Sequence, residues 1–228
     1  MTADAIEIKI LTARALATVL DKIGHKFEQQ SGHKLNVDSG FGPDFVRRID
    51  AGEAFDILVC RQSIIDPLFK DGKLIAETRT KLVRSRIGVE VRAGSPKPDV
   101  GSVEAFKRAL LKAKSIGYLK IGGVPQLLDR LGLTEAVKAK VTMPDSDVVS
   151  ELVAQGELEL GIIAITQILT TPGVELAGPL PEEIQYFSVF AGGVSVNSKA
   201  PDAARDLINF LTGPKAWPVI KEQGMEPL

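Results

Sequence analysis

Strand-like and helix-like patterns of apolar residues alternate along the chain. Short strand-like segments lie at 6–11, 35–38, 55–60, 82–91, 115–119, 140–142, 158–163 and 186–196. Apolar residues spaced three or four apart predict helices at 13–30, 43–50, 66–70, 201–212 and 214–223, and further helices that begin near 102, 125 and 145 or 146. This alternation predicts an α/β fold in which mostly parallel sheets are flanked by helices.

In the segment 82–91, apolar and charged residues alternate with a period of two. Its apolar residues stand at odd positions: Val83, Ile87, Val89 and Val91. Its charged residues stand at even positions: Arg84, Arg86 and Glu90. Such an alternation predicts a strand that turns one face to the core and the other to solvent.

Two long strands, 82–91 and 186–196, indicate how the chain is divided. If the first carries the chain out of one lobe and the second carries it back, lobe 1 comprises 1–83 plus 188–228 and lobe 2 comprises 84–187. Two crossings of this kind predict a two-stranded hinge with a cleft between the lobes. The length of 228 residues by itself fits either one large domain or two modest ones.

Composition and charge narrow the function classes. The 28 Lys and Arg residues nearly cancel the 29 Asp and Glu residues, and the resulting charge of -1 argues against nucleic acid or an anionic membrane as the main partner. One cysteine and two histidines argue against an internal disulfide and against a metal site rich in these residues. No apolar run reaches the length of about 20 residues that spans a bilayer.

The candidate ligand-binding residues follow the carboxyl ends of the predicted strands. In open α/β sheets this is where ligands bind, because the free N–H groups and the dipoles of the following helices favour anions. In lobe 1 the candidates are Thr12, Ala13, Arg14, Gly40, Phe41, Gly42, Cys60 and Arg61. In lobe 2 they are Gly122, Gly123 and Thr166.

Each of these candidates also has a purely structural interpretation. The two glycine pairs would let the backbone approach a ligand, but a tight turn between a strand and a helix needs glycine as well. Arg14 and Arg61 would hold a carboxylate through paired hydrogen bonds, or they would lie in solvated surface salt bridges. The sequence leaves both interpretations open.

No catalytic signature is present in the sequence. Cys60 ends a buried strand with no evident base nearby, which is typical of an inert small apolar residue. His25 and His33 lie away from the strand ends that would face a ligand. We find no phosphate-binding loop, serine triad or metal triad, so we expect no catalytic residue, no metal and no cofactor.

Several stretches carry a resemblance to a known family, and they cover nearly the whole chain: 8–13, 27–33, 47–59, 156–162, 179–185 and 224–227. In order and spacing they resemble the periplasmic molybdate-binding-protein-like branch of the type 2 solute-binding proteins. The resemblance implies a type 2 periplasmic-binding-protein fold, with two α/β lobes joined by two crossovers that close on a small ligand. It also implies delivery of that ligand to the membrane permease of an ABC importer.

The chain departs from this family at positions that matter for the ligand. The molybdate binders hold their oxyanion with hydroxyls and backbone N–H groups. Where the resemblance implies hydroxyl-bearing residues, this sequence has Ala15 or Arg14, then Phe41 and Gly42, and then Ala164. The turn after Tyr118 is also shorter than in the family. Losing three hydroxyl donors argues against molybdate, and gaining arginines favours an organic carboxylate.

The remaining expectations concern location, partners and alternative functions. The residues before the first strand lack a signal-peptide pattern, so the chain is either cytoplasmic or a mature periplasmic protein with a start Met; we expect the periplasmic case. We expect a monomer. One alternative is an isomerase of unsaturated tricarboxylates that resembles aconitate isomerase, with Asp38, Tyr118 or Lys120 as its base. Another is a cytoplasmic ligand sensor.

Overall fold

The computed structural model describes residues 5–144 and 147–228. The ten strands within these ranges are β1 (Glu7–Ala13), β2 (Lys34–Gly40), β3 (Ile57–Arg61), β4 (Thr80–Arg92), β5 (Ile116–Tyr118), β6 (Val141–Thr142), β7 (Leu160–Ala164), β8 (Val174–Pro179), β9 (Phe187–Val194) and β10 (Met225–Pro227). The α-helices within them are α1 (Arg14–Ser31), α2 (Gly42–Asp50), α3 (Gln62–Lys70), α4 (Val103–Lys112), α5 (Val124–Arg130), α6 (Thr134–Val137), α7 (Val149–Gln155), α8 (Ile165–Thr170), α9 (Pro201–Thr212) and α10 (Trp217–Glu222). The predicted helix start at 145 or 146 lies outside the described residues.

The chain forms two compact units. Unit 1 contains the described residues up to Arg84 together with Val189–Leu228, and unit 2 contains Ser85–Ser188. The chain passes between the units within β4 and again within β9, because the boundaries fall inside these two strands. No helix among the described residues has both the length and the apolar character needed to cross a membrane.

The sheet of unit 1 runs in the order β2-β1-β3-β9. The pairs β1–β2 and β1–β3 are parallel, and β9 is antiparallel to β3. In this register Ala13 lies beside Gly40, and Thr12 lies beside Val59. The carboxyl ends of β1, β2 and β3 therefore meet at one edge of the sheet, which is named here the unit 1 edge.

Both faces of the unit 1 sheet are covered by helices. Ile10, Ile57 and Val59 face a core that includes the buried sides of α1, α9 and α10. Leu58 and Cys60 face a second core, formed with α2 and α3. Burial on both faces is why β3, which begins Ile-Leu-Val-Cys, reads as a continuous apolar run instead of an alternating pattern. The predicted stripe of α1 is buried as expected: Leu16, Val19, Leu20, Ile23 and Phe27.

The strands of unit 2 lie in the order β8-β4-β7-β5-β6. The pairs β5–β6 and β5–β7 are parallel, whereas β4 is antiparallel to both β7 and β8. Phe106 and Leu110 of α4 pack against this sheet in the main core of the unit. Because Tyr118 lies beside Ile162, the carboxyl ends of β5 and β7 share one edge of the sheet.

The structure corrects the sequence analysis at Glu90. The period of two in β4 placed this residue on a solvent face, but its side chain is 0% exposed. Strands β7 and β8 flank β4 here, and Ser150 of α7 covers the residue from above the sheet. The Ser150 hydroxyl lies 3.0 Å and 2.9 Å from the two Glu90 oxygens. Burial, the largest effect, raises the pKa of Glu90 to about 7.

Candidate functional site

At the unit 1 edge, three strands pass into helices with almost no connecting residues. Strand β1 is followed at once by α1, β3 is followed at once by α3, and only Phe41 separates β2 from α2. The residues that precede the three helices are Ala13, Phe41 and Arg61, and none of them makes a side-chain capping hydrogen bond. The first N–H groups of these helices therefore lack the usual side-chain acceptors. An anion suits such positions.

The strand register brings several sequence-predicted residues together. Thr12 lies beside Ser39, and Ala13 lies beside Gly40, on the neighbouring strands β1 and β2. Thr12 is fully buried, and among the described residues its hydroxyl has only a long contact of 3.5 Å to the Ala13 carbonyl oxygen. A hydroxyl with such a weak local contact retains most of its hydrogen-bonding capacity.

The two candidate arginines differ in their surroundings. Arg14 is the first residue of α1 and its side chain is exposed. Arg61 is half-buried, and its guanidinium carbon lies 5.6 Å from the ring centroid of Phe190 on the adjacent strand β9. A cation over an aromatic face is attracted by the ring, which orients the guanidinium of Arg61 at the unit 1 edge.

Packing explains the small residues of the β2–α2 turn. A Cβ at Gly40 would lie 3.2 Å from the ring of Phe45, and a Cβ at Gly42 would lie 3.2 Å from the side chain of Ile64. Phe41 is only 8% exposed. The structural reason for both glycines is therefore present, and ligand contact at this turn stays a prediction.

Cys60 is unsuited to nucleophilic chemistry. Its side chain is buried in the core shared with α2 and α3, and this burial raises the pKa of its thiol to about 12. The thiolate is the reactive form of cysteine, and at neutral pH almost none would be present. The position of Cys60 near the carboxyl end of β3 predicts ligand contact, but its side chain faces the core.

A network of four charged residues lies beside the end of β2. Arg48 contacts Asp38 and also Glu53, with Nε to Oε2 at 2.5 Å, and the ammonium of Lys9 lies 2.8 Å from Glu53. The hydrogen bond from Arg48, ahead of that from Lys9, lowers the pKa of Glu53 to about 2. Asp38, a candidate base in the isomerase alternative, is thus held in an ion pair.

In unit 2, Thr166 follows β7 at the second residue of α8. It is fully buried, and its Oγ1 has no hydrogen-bond partner among the described residues. Its backbone N–H donates to the hydroxyl oxygen of Ser85 at 3.3 Å. An unpaired buried hydroxyl costs about 1–3 kcal/mol, so such a group calls for a ligand or a water molecule.

The turn after β5 has structural reasons for both of its predicted glycines. Gly122 has a φ of +142°, a conformation that other residues rarely adopt. A Cβ at Gly123 would come within 2.7 Å of the ring of Tyr186. Tyr118 ends the preceding strand, and burial raises the pKa of its hydroxyl; Lys120 is exposed. Ligand contact at Gly122 and Gly123 stays a prediction.

Sequence reasoning missed two residues of unit 2 that support these turns. Ser85 is fully buried and accepts from the Thr166 backbone, and Tyr186 packs on Gly123. A signal for Ser85 was available, because it is the polar residue among the otherwise apolar odd positions of the segment 82–91. Tyr186 gave no comparable signal, since its role depends on the fold of the unit.

The comparison with protein families agrees with this arrangement of strands and helices. The family described as bacterial extracellular solute-binding protein matches residues 8–226. The chain belongs to this family. Because the match spans nearly all of the described chain, both units are part of one solute-binding protein.

Two relatives and one solved structure place this solute-binding protein more closely. It is similar to the aconitate isomerase of Pseudomonas sp, with 28% identity over an alignment of 230 residues. This alignment covers 97% of this chain and 88% of the isomerase. It is also 30% identical to the molybdate-binding protein ModA of Azotobacter vinelandii over an alignment of 236 residues, which covers 97% of this chain and 90% of ModA. The solved structure of a periplasmic molybdate-binding protein of Azotobacter vinelandii superposes on this structure with a TM-score of 0.77 and 20% identity. The superposition covers 96% of this chain and 98% of the solved chain.

These comparisons confirm two expectations from the sequence. The chain lies in the ModA-like branch of the solute-binding proteins. It also has the predicted α/β fold of the type 2 periplasmic binding proteins.

Proposed function

We propose that this solute-binding protein captures a small anion at the unit 1 edge and delivers it, in the periplasm, to the membrane permease of an ABC importer. The observation that supports binding is the meeting of three uncapped helix starts at one edge of one sheet. Relatives named for molybdate and aconitate, both anions, agree with it. The contribution of unit 2 to the same ligand stays a prediction.

Within the anions, we propose an organic carboxylate in preference to molybdate. Arg61 brings a formal positive charge to the unit 1 edge, and the ring of Phe190 holds its guanidinium in place. A planar guanidinium pairs with a carboxylate through two parallel hydrogen bonds. One relative is named for aconitate, which is a tricarboxylate.

Isothermal titration calorimetry on the ligand-free protein tests this proposal. We expect saturable binding of at least one of citrate, cis-aconitate and trans-aconitate, and weaker binding of molybdate and sulfate. Arg61→Gln should weaken carboxylate binding by about tenfold or more, since a hydrogen-bonded charge pair is worth about 1.5–3 kcal/mol. Arg205→Gln is the matched control, because Arg205 is exposed on α9 and forms a local ion pair with Asp202, three residues away.

Two results would contradict the carboxylate proposal. One is tight molybdate binding with no heat from any di- or tricarboxylate. The other is equal carboxylate affinity in the wild type and in Arg61→Gln.

The 28% identity to aconitate isomerase supports a second candidate, isomerisation of an unsaturated tricarboxylate. A base must remove a proton next to a carboxylate in such a reaction. Asp38 is held by Arg48, and burial raises the pKa of Tyr118, so neither is well prepared for this role. Proton NMR of trans-aconitate incubated with the protein tests it: appearance of cis-aconitate would support the enzyme, and an unchanged spectrum would exclude it for this substrate.

A further inference from the structure

Unit 2 has a groove at the end of its sheet opposite the strand-end turns. Its walls include Ser115 and Leu158, which lie just before β5 and β7, and Arg92, which ends the antiparallel strand β4. Its volume is about 570 Å³. Clefts of about 300–1,000 Å³ hold small organic ligands. We call it the basic groove.

Positive charge dominates the basic groove. Arg92, Lys112 and Lys114 line it, all three are exposed, and the described part of the chain offers none of them an ion-pair partner. A fourth lining cation, Lys97, is neutralised by Glu175, with Nζ 2.9 Å from Oε2. These like charges repel one another unless an anion lies among them.

Glu159 is the one carboxylate among the described residues that line the groove, and it does not cancel this charge. Glu159 Oε2 accepts a hydrogen bond from the backbone N–H of Lys114 at 2.6 Å, so that oxygen is committed to the wall. Three unpaired cations against one carboxylate leave a formal charge of about +2 on the groove.

The carboxyl end of α4 also borders the groove, and its carbonyl dipoles would normally disfavour an anion. Lys140 offsets them, because its ammonium donates to the carbonyl oxygens of Leu111 at 2.6 Å and of Ala113 at 2.9 Å. The end of α4 therefore carries the positive charge of the Lys140 ammonium, and two of its carbonyl groups are already hydrogen-bonded.

The floor of the basic groove is apolar. Leu158, Leu160 and Ala113 form its base and are each less than 5% exposed. The apolar surface that a ligand can reach comes mainly from Pro96, which is exposed, and Pro98, which is half-buried. An inorganic anion would leave most of this volume and this apolar floor unused. A ligand with an apolar body would cover the floor while its acidic groups reached the cations on the rim.

We propose that the basic groove is a second binding site, and that it takes an organic dianion with a compact apolar body. The two negative charges match the formal charge of the groove, and the apolar body matches its floor. This site is separate from the unit 1 edge, so it does not depend on the function proposed above.

A titration of the full chain, labelled with ¹⁵N, with naphthalene-2,6-dicarboxylate tests the proposal. We expect saturable shifts of the backbone amides of Ser95, Ser115 and Gly156, which line the groove, with little change at Gly40 and Gly42 of the unit 1 edge. The singly charged 2-naphthoate should bind several-fold more weakly, and added salt should weaken both, since the rim cations are exposed.

The triple variant R92A/K112A/K114A should weaken binding of the dicarboxylate by about tenfold or more. The matched control K26A/R130A/K138A removes the same number of exposed cations at positions that do not line the groove, and it should bind within about twofold of the wild type. If the alanine variant fails to fold, R92Q/K112Q/K114Q keeps the side-chain stems and replaces it.

Three results would overturn the proposal. The first is the absence of saturable shifts at Ser115 and Gly156. The second is a set of shifts confined to Gly40 and Gly42, which would place the dianion at the unit 1 edge. The third is an affinity in the triple variant equal to that of the control variant.

Discussion

The buried carboxyl of Glu90 should make the protein less stable as the pH rises from about 4.5 to about 7. Glu90 is fully buried, and the Ser150 hydroxyl can donate its one proton to only one of the two carboxylate oxygens at a time. Burial raises its pKa from 4.5 to about 7, so in this pH range the folded protein binds a proton that the unfolded chain has lost. Stability therefore falls as the pH increases, and it levels off above the folded pKa.

The magnitude follows from the size of the pKa shift. One pKa unit corresponds to about 1.4 kcal/mol, so the rise from 4.5 to about 7 corresponds to about 3 kcal/mol of lost stability. For a chain of this length, about 3 kcal/mol corresponds to a melting temperature lower by roughly 6–12 °C. The variant Glu90→Gln has a side chain of the same shape that does not ionise. Its unpaired amide N–H groups add a cost that does not vary with pH.

Thermal unfolding followed by circular dichroism at pH 5, 6, 7 and 8 measures this effect. The melting temperature of Glu90→Gln minus that of the wild type should increase by roughly 5–10 °C between pH 5 and pH 8, because a small part of the effect is already present at pH 5. Glu104→Gln is the control, because it makes the same substitution at a carboxylate that is exposed on α4 instead of buried. A difference that is constant with pH for Glu90→Gln would refute the reasoning.

Three further predictions concern the neighbours of Glu90 and the charged and buried groups of unit 1. Gly161→Ala should lower the melting temperature by several degrees, because the new Cβ would lie 2.2 Å from Glu90 Oε1; a melting curve equal to that of the wild type would contradict this. As the pH falls from 4.5 to 2, the free energy of unfolding should decrease more for the wild type than for Glu53→Gln, because Arg48 lowers the pKa of Glu53 in the folded protein. Acid unfolding curves of equal steepness for the two proteins would contradict this prediction. The thiol of Cys60 should react with Ellman's reagent in denaturant but not in the native protein at pH 8, and rapid native labelling would show that the site opens.

Much of the fold could be predicted from the sequence, because burial leaves a periodic signal. The stripe of α1 has the helical period, and all five of its predicted apolar residues are buried. Strand β3 reads as a continuous apolar run because both of its faces are covered.

Other parts of the fold left no usable signal. Strand β8 was not predicted, since its residues are mostly half-buried and show neither period. Glu90 followed the alternation expected of a solvent face, yet β7, β8 and α7 bury it. A period of two shows that neighbouring side chains point in opposite directions, but it does not show what covers each face.

The candidate site was predictable only in its position. The order of strands and helices was enough to place Thr12, Ala13 and Gly40 at one edge, and the register places them side by side. The unpaired hydroxyl of Thr166 and the ring of Phe190 under Arg61 depend on residues far apart in the chain. Contacts of this kind arise from packing, and no local spacing of residues encodes them.

The division of unit 1 between two parts of the chain has a consequence for biogenesis. Unit 2 is one continuous stretch, Ser85–Ser188, so all of its residues leave the ribosome before unit 1 is complete. Unit 1 lacks β9, α9 and α10 until residues 189–228 emerge, and one face of its nascent sheet has no covering from α9 and α10 until then. Chains usually fold from the amino terminus during translation. Here the second unit can mature first, and the unit 1 edge becomes complete only when translation is nearly finished.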